Sequence, residues 1–404
     1  MHILLLTPSL PYPPHQGGAL RNFGIIRGLY QAGHLITLVS FHPAGANGYG
    51  PLEEYCARIE IVPPPPRTLA NRLRDLVLSG APDLAQRLAS DAMRAALRRV
   101  LSETLFDVIQ FEGLEMAIYL DLAREMQPKA RLIYDAHNAE FALQSKIAEV
   151  ESNHWRRLPA ALYSRIQSRR IYHFEREVSR SADAVIAVSE EDAAELRAFR
   201  SDGRVYVLPN GIFTDAYSDP GQGLDLGEQI LVFTGKMDYR PNVDGIRWFV
   251  DSILPEVHTR FPEARLYIVG QKPHSSLRTL SEKVSVEVTG WVPEVQPFLH
   301  AADVYIAPLR MGSGTRLKIM EAMAAGCAVV ATPIAAAGLT EAARQTMLIA
   351  EDENGFADAV SSLLGDEAKR EQLGKAAMQV VRQQYDWSAL IPCLLATYRE
   401  LGLG

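Results

Sequence analysis

The chain is poor in cysteine, has no excess of basic charge, and lacks any apolar run long enough to cross a bilayer. Cys56, Cys327 and Cys393 are its three cysteines and lie far apart. Three such thiols cannot make a complete disulfide framework, and none sits in a CxxC pair or beside a metal-binding histidine. They are expected as reduced, buried, structural thiols of a cytosolic protein. Lys and Arg number 41 against 48 Asp and Glu, a net charge of -7. A nucleic-acid binder carries the opposite balance, so no nucleic-acid partner is expected. No apolar stretch approaches the roughly 18 residues of a membrane helix. Residues 1–7 have no basic flank or small-residue cleavage pattern and read as a first strand, not a secretion signal. The expected compartment is therefore the cytoplasm. There is no DxD pair, no His/Cys cluster with ligand spacing and no GxSxG elbow, so no metal site is expected.

What is present is alternation. Short apolar or β-branched runs recur at His2–Thr7, Leu35–Phe41, 59–63, 107–112, 130–137, 184–189 and 205–209, each followed by a stretch long enough for a crossover helix. Runs that are apolar throughout belong to strands buried on both faces, and the alternation specifies a parallel α/β sheet. Residues 214–228 interrupt it with glycine, proline and acidic side chains and read as a linker. The alternation resumes at Ile230–Thr234, 264–269, 284–289, 303–307, 328–332 and 347–350. Two α/β units are expected, with ligands at the carboxyl ends of the strands in a cleft that both face. The GxGxxG fingerprint is missing from both first-strand turns, which counts against a dehydrogenase.

The most informative segment is RMGSGTRLKIMEAMAAG at 310–326. Gly312 and Gly314 permit close backbone approach to a ligand, Thr315 is a natural N-cap, and the helix that follows can end at Gly326. Its free N–H groups and dipole make an anion site, to which Arg316 and Lys318 add charge. Glu321 lies within an otherwise apolar helix, a costly place unless it is paired or bound to ligand hydroxyls. Two readings stand: it accepts hydrogen bonds from a ribose, or it pairs with Lys318 on a solvent face.

GSGTRLKIMEAMAAGCAVVAT followed by Gly338 and Leu339 resembles the nucleotide-sugar site of the retaining GT-B glycosyltransferase family four. The subgroup with GxGTRLK, associated with exopolysaccharide and exosortase systems, is the most similar. The resemblance covers essentially the whole chain. It implies a GT-B fold of two Rossmann-like domains, an acceptor-side domain at 1–213 and a nucleotide-sugar domain at 229–385. The helix at 386–404 would return to the first domain. It implies that Glu321 binds the donor ribose and that Arg316 and Lys318 face the diphosphate. Many relatives carry a second glutamate eight positions earlier, where Ser313 stands here. Ser313 and the N–H groups of Gly314 and Thr315 are left to hold the sugar.

Other segments extend the resemblance. FTGKMDYRPN at 233–242 ends the first strand of the second unit, and Lys236 matches a diphosphate-binding cation. Asn242 replaces the usual lysine and is expected to cap a helix at 243–255; Arg240 is either a further contact or an exposed loop residue. TGWVPEVQP matches a nucleobase-binding segment through Trp291 and Val292, which read equally well as core. In the first unit Gly17 and Gly18 open a helix in a GGxxR pattern that in relatives faces the donor phosphate and acceptor, with His15 in the same loop. YDAHNAE places His137 at a strand end, where a family histidine contacts the transferred sugar, with Asn138 and Glu140 beside it. VLPNG at 207–211 closes the unit.

The function expected is a retaining, metal-independent transfer of a sugar from a nucleotide sugar to a glycan, lipid-linked or other hydroxyl acceptor. No cofactor beyond the donor is expected. A nucleotide-sugar epimerase is the alternative enzyme, and a closing two-lobed binding protein is the alternative class. Residues 67–78 carry Leu69, Leu73, Leu76 and Val77 at helical spacing beside arginines, and 154–180 carries seven arginines. These stretches suggest peripheral association with an anionic membrane at its inner face, or packing on the sheet with a solvated basic edge.

Overall fold

The computed structural model describes the chain except residues 15–16, 44–47, 69–70, 72–73, 75–78, 146–157, 222, 283–284, 312–316 and 404; at 158–162, 278, 281 and 282 it describes backbone only. It divides into two compact units, Met1–Asn210 with Leu390–Gly404, and Gly211–Ala389.

The first unit is a parallel sheet of seven strands in the order β3-β2-β1-β4-β5-β6-β7. These are β1 (His2–Thr7), β2 (Leu35–Phe41), β3 (Arg58–Val62), β4 (Val108–Glu112), β5 (Arg131–Ala136), β6 (Ala184–Ala187) and β7 (Val205–Val207). The register puts Leu4 opposite both Thr37 and Ile109. Ile3, Leu4, Leu5 and Leu6 are buried, and each such side chain contributes roughly 1.5–3 kcal/mol. Crossover helices begin at hydroxyl caps: Ser90 accepts from the Met93 N–H and Ser189 from that of Asp192. Strand order reverses beside β1, so the carboxyl ends of β1 and β4 form a switch point.

The second unit repeats the plan with six parallel strands in the order β10-β9-β8-β11-β12-β13. They are β8 (Ile230–Thr234), β9 (Arg265–Val269), β10 (Val286–Gly290), β11 (Val304–Ala307), β12 (Val329–Ala331) and β13 (Leu348–Ile349). Here the order reverses beside β8, next to β11. Every strand in both units lies on one of the apolar runs read from the sequence. Residues 214–217, placed in a linker on composition, form the 3-10 turn Thr214–Tyr217 within this unit.

Two cysteines are buried as expected, and burial pushes each thiol up to about 12. Cys393 departs from that expectation and is exposed, because it faces outward from the helix Trp387–Glu400. Among the described residues no helix is long and apolar enough to cross a membrane. Leu69, Leu73, Leu76 and Val77 lie outside the described residues.

Candidate functional site

At the switch point of the first unit, polar side chains sit in strands that are otherwise apolar. Gln110 and Glu112 on β4 and Asp135 on β5 are fully buried, a placement that requires partners. Arg21, on the helix Gly17–Gln31, supplies the counter-charge. Its Nη2 donates to Asp135 Oδ1 at 2.8 Å and its Nε to Oδ2 at 3.0 Å. Its Nη1 donates to the carbonyl of Leu208 at 2.9 Å and to Asn210 Oδ1 at 3.3 Å. The VLPNG segment is thus fastened to this guanidinium. Arg21 therefore points inward, not toward a phosphate as the GGxxR resemblance implies, because Asp135 would otherwise be buried without a counter-charge.

Gln110 Nε2 donates to Glu112 Oε1 at 2.7 Å, and Gln110 Oε1 accepts from the Tyr398 hydroxyl at 2.6 Å. Glu112 Oε2 lies 3.2 Å from His137 Nε2 and, with the Asn22 amide turned so that both its ends are satisfied, accepts from Asn22 at 2.8 Å. That contact assigns the Nε2 proton to the Glu112 side of the ring. Nδ1 faces the backbone of Gly18 and Gly113, where added Cβ atoms would lie 3.6 and 3.8 Å away. Burial disfavours protonation of His137, but the Glu112 hydrogen bond and the charges of Asp135 and Glu112 outweigh it and raise its pKa. Burial and Asp135 likewise raise Glu112, against His137 and Arg21. With Nε2–H on Glu112, Nδ1 is an acceptor in the neutral ring and a donor in the protonated one, which the raised pKa favours.

Glu112, Asp135 and His137 are close enough to hold a metal ion. Their ligand atoms are already engaged: Arg21 grips Asp135, while Gln110 and Asn22 donate to the two oxygens of Glu112. A dication would also sit against the guanidinium, so the donor set fits a hydrogen-bonded cluster better than a metal centre. The loop after β5 is held by Glu175, whose carboxylate accepts from Tyr134 and from the N–H groups of Glu140 and Phe141. Burial pushes Glu175 up to about 8 despite these donors.

In the second unit, Glu321 is half-buried on the helix Leu317–Ala324. It does not lie on a solvent face, and Tyr217 holds it. The Tyr217 hydroxyl donates to Glu321 Oε1 at 2.9 Å. Burial raises the Glu321 pKa, and Tyr217 and Lys318 pull it back. Lys318 Nζ instead donates to Asn242 Oδ1 at 2.7 Å and sits 4.3 Å from the centre of the Phe233 ring. Asn242 donates to the Lys236 carbonyl at 2.8 Å. Asn242 is therefore no helix cap: the helix Arg240–Trp248 begins earlier, with Pro241 in its first turn. Gly235 leaves room for this group, since a Cβ there would lie 2.7 Å from Lys318 Nζ.

Lys236 is exposed and lies 3.6 Å from Asp238, and Arg240 is exposed. Trp291 is 72% exposed, while Val292 packs partly buried on the core. Ser313, Gly314, Thr315 and Arg316 lie outside the described residues, as does His15. Glu112, Asp135 and Tyr217 were not read as site residues from the sequence, and Arg21 only as the arginine of the GGxxR pattern. Charged residues within buried strands were an available signal for two of them; Tyr217, in a polar stretch, gave none.

A model of the glycosyl transferase 4-like domain matches residues 16–211, and one of glycosyl transferases group 1 matches residues 228–366. The chain belongs to this glycosyltransferase family. It is 31% identical over 203 residues to the phosphatidyl-myo-inositol mannosyltransferase of Mycobacterium leprae, covering 48% of this chain and 53% of that protein. The chain thus spans about half the length of the curated mannosyltransferases it matches. A 44.6 kDa protein of the cps region of Klebsiella pneumoniae is 20% identical over 395 residues, covering 95% and 96% of the two chains. Among solved structures, Anabaena HepE in complex with UDP and glucose superposes with a TM-score of 0.67 at 16% identity, covering 99% of this chain and 100% of that one. Sucrose-phosphate synthase from Thermosynechococcus elongatus gives 0.72 at 18% identity, covering 100% and 99%. The fold is that of a GT-B protein, two α/β units with parallel sheets.

Proposed function

We propose that the chain is a retaining, metal-independent glycosyltransferase that moves a sugar from a nucleoside diphosphate to a hydroxyl of a glycan or lipid-linked acceptor. The observation that carries this is Glu321, a half-buried carboxylate oriented by Tyr217 beside the Lys318–Asn242 pair. It lies in a chain of the corresponding family. In this reading Glu321 accepts from the ribose hydroxyls. Arg316, Lys318 and Lys236 balance the diphosphate, Trp291 and Val292 contact the base, and Ser313, Gly314 and Thr315 hold the sugar. Gly18 leaves space for the donor, and His137 contacts the sugar near its reacting carbon.

The bond that breaks joins the anomeric carbon to a diphosphate oxygen; the new one joins that carbon to the acceptor oxygen. The acceptor proton passes to the departing diphosphate on the same face. Fixed cations and N–H groups stabilise the charge developing on the leaving group, often the largest single contribution to catalysis. The mannosyltransferase and cps-region relatives favour a lipid-linked or surface-polysaccharide acceptor in bacterial glycoconjugate synthesis.

The test is transfer from labelled nucleotide sugars in the presence of a chelator, with the product's anomeric configuration read by NMR. Retained configuration with activity undiminished is expected. Inversion, or activity restored only by a divalent ion, would overturn this mechanism.

A further inference from the structure

Residues 214–217 look like linker in sequence, yet every one is held from the second unit. The Thr214 N–H and hydroxyl donate to Asp386 Oδ2 at 2.9 and 2.6 Å. Asp215 lies 3.6 Å from Arg382. Gln296 donates to the carbonyl of Ala216 at 3.3 Å, and His300 Nε2 lies 2.8 Å from that of Tyr217. A turn fixed at four successive residues aims one side chain, Tyr217, at one atom, Glu321 Oε1.

We infer that Tyr217 is a positioning residue that holds Glu321 in the orientation that reads the cis-diol of a ribonucleoside diphosphate; this rests on the donor-site reading above. A carboxylate has about four lone-pair positions. Tyr217 takes one and leaves Oε2 and the rest of Oε1 for two sugar hydroxyls. Without the hydroxyl, a half-buried carboxylate loses a fixed donor, which frees its rotamer and disfavours its ionised form. The ionisable groups facing Glu321 among the described residues are Lys318 on its own helix, Tyr217 on the turn and Tyr305 on β11. Tyr305 gives its hydroxyl to the pair it makes with Thr234, at 2.9 Å. Tyr217 is therefore the hydroxyl that orients Glu321.

The experiment is calorimetric titration of wild type and Tyr217→Phe with UDP, GDP and ADP, each against its 2′,3′-dideoxy counterpart, between pH 6 and 9. Wild type is expected to prefer the ribo form of at least one pair. Tyr217→Phe should lose about tenfold in affinity for that ribo form near pH 6.5, as for one lost charge-assisted hydrogen bond. It should keep its dideoxy affinity, and the loss should shrink as pH rises, because the variant's carboxyl has lost a donor to its ionised form. A wild type that binds ribo and dideoxy forms equally overturns the donor-site reading and this inference with it. A discriminating wild type whose Tyr217→Phe variant discriminates equally at every pH overturns the role of Tyr217 alone.

Discussion

Glu112 acts on His137 through a hydrogen bond and through the charge of its carboxylate, and the two effects can be separated. Glu112→Gln keeps an acceptor for Nε2–H and removes the charge, so the His137 pKa should fall. Protonated His137 contributes stability below the ordinary imidazole value of about 6.5. That contribution is lost as pH rises through its raised value. NMR titration of the His137 ring should show the downward shift, and the alkaline loss of turnover should begin at lower pH. An unchanged titration would show that Glu112 does not tune the ring. Arg21→Met tests the other end of the cluster. It leaves Asp135 buried without a counter-charge, which costs about 3–5 kcal/mol. Urea unfolding that differs from wild type by less than about 1 kcal/mol would contradict the buried pair. These side chains could be suspected from VIQFE and LIYDA, where charge interrupts apolar strands. Their pairing could not, because Arg21 and Asp135 are 114 residues apart in sequence.

At the scale of elements, the helix Arg240–Trp248 must lie close to the loop after β11 for Asn242 to reach Lys318. Gly245 makes that approach possible: a Cβ there would meet the Pro308 carbonyl oxygen at 2.4 Å. Gly245→Ala gains up to about 1 kcal/mol of helix propensity. It must still push backbone from backbone, an overpacking cost of about 1–3 kcal/mol. The clash should win, and denaturant unfolding should show net destabilisation; a stabilised variant would refute the close approach. The strands were legible in sequence because a strand buried on both faces is apolar throughout. The start of this helix was less so, since Asn242 has the residue type of a cap although the helix begins two residues earlier, at Arg240.

For the whole molecule, the two α/β units and their family could be read from alternation and from the donor motif. The anchoring of residues 214–217 could not, since their composition is that of a linker and their partners lie far along the chain. Membrane association remains a proposal with its own test. The helix Leu158–Ser181 exposes Arg165, Arg169 and Arg180, and each basic residue near an anionic surface adds about 1 kcal/mol. Co-sedimentation with anionic vesicles at low salt, reversed at high salt, is expected; failure to pellet at low salt would exclude it. The central claim is that this chain breaks the sugar–diphosphate bond of a nucleotide sugar held by Glu321. Its most direct test is release of nucleoside diphosphate from a panel of labelled nucleotide sugars, with a glycan and lipid extract as acceptor, for wild type and Glu321→Ala. At least one donor should release nucleoside diphosphate with label transferred, and Glu321→Ala should lose donor affinity by roughly 1.5–3 kcal/mol. Interconversion of sugar isomers without release, or release undiminished in Glu321→Ala, would contradict the account.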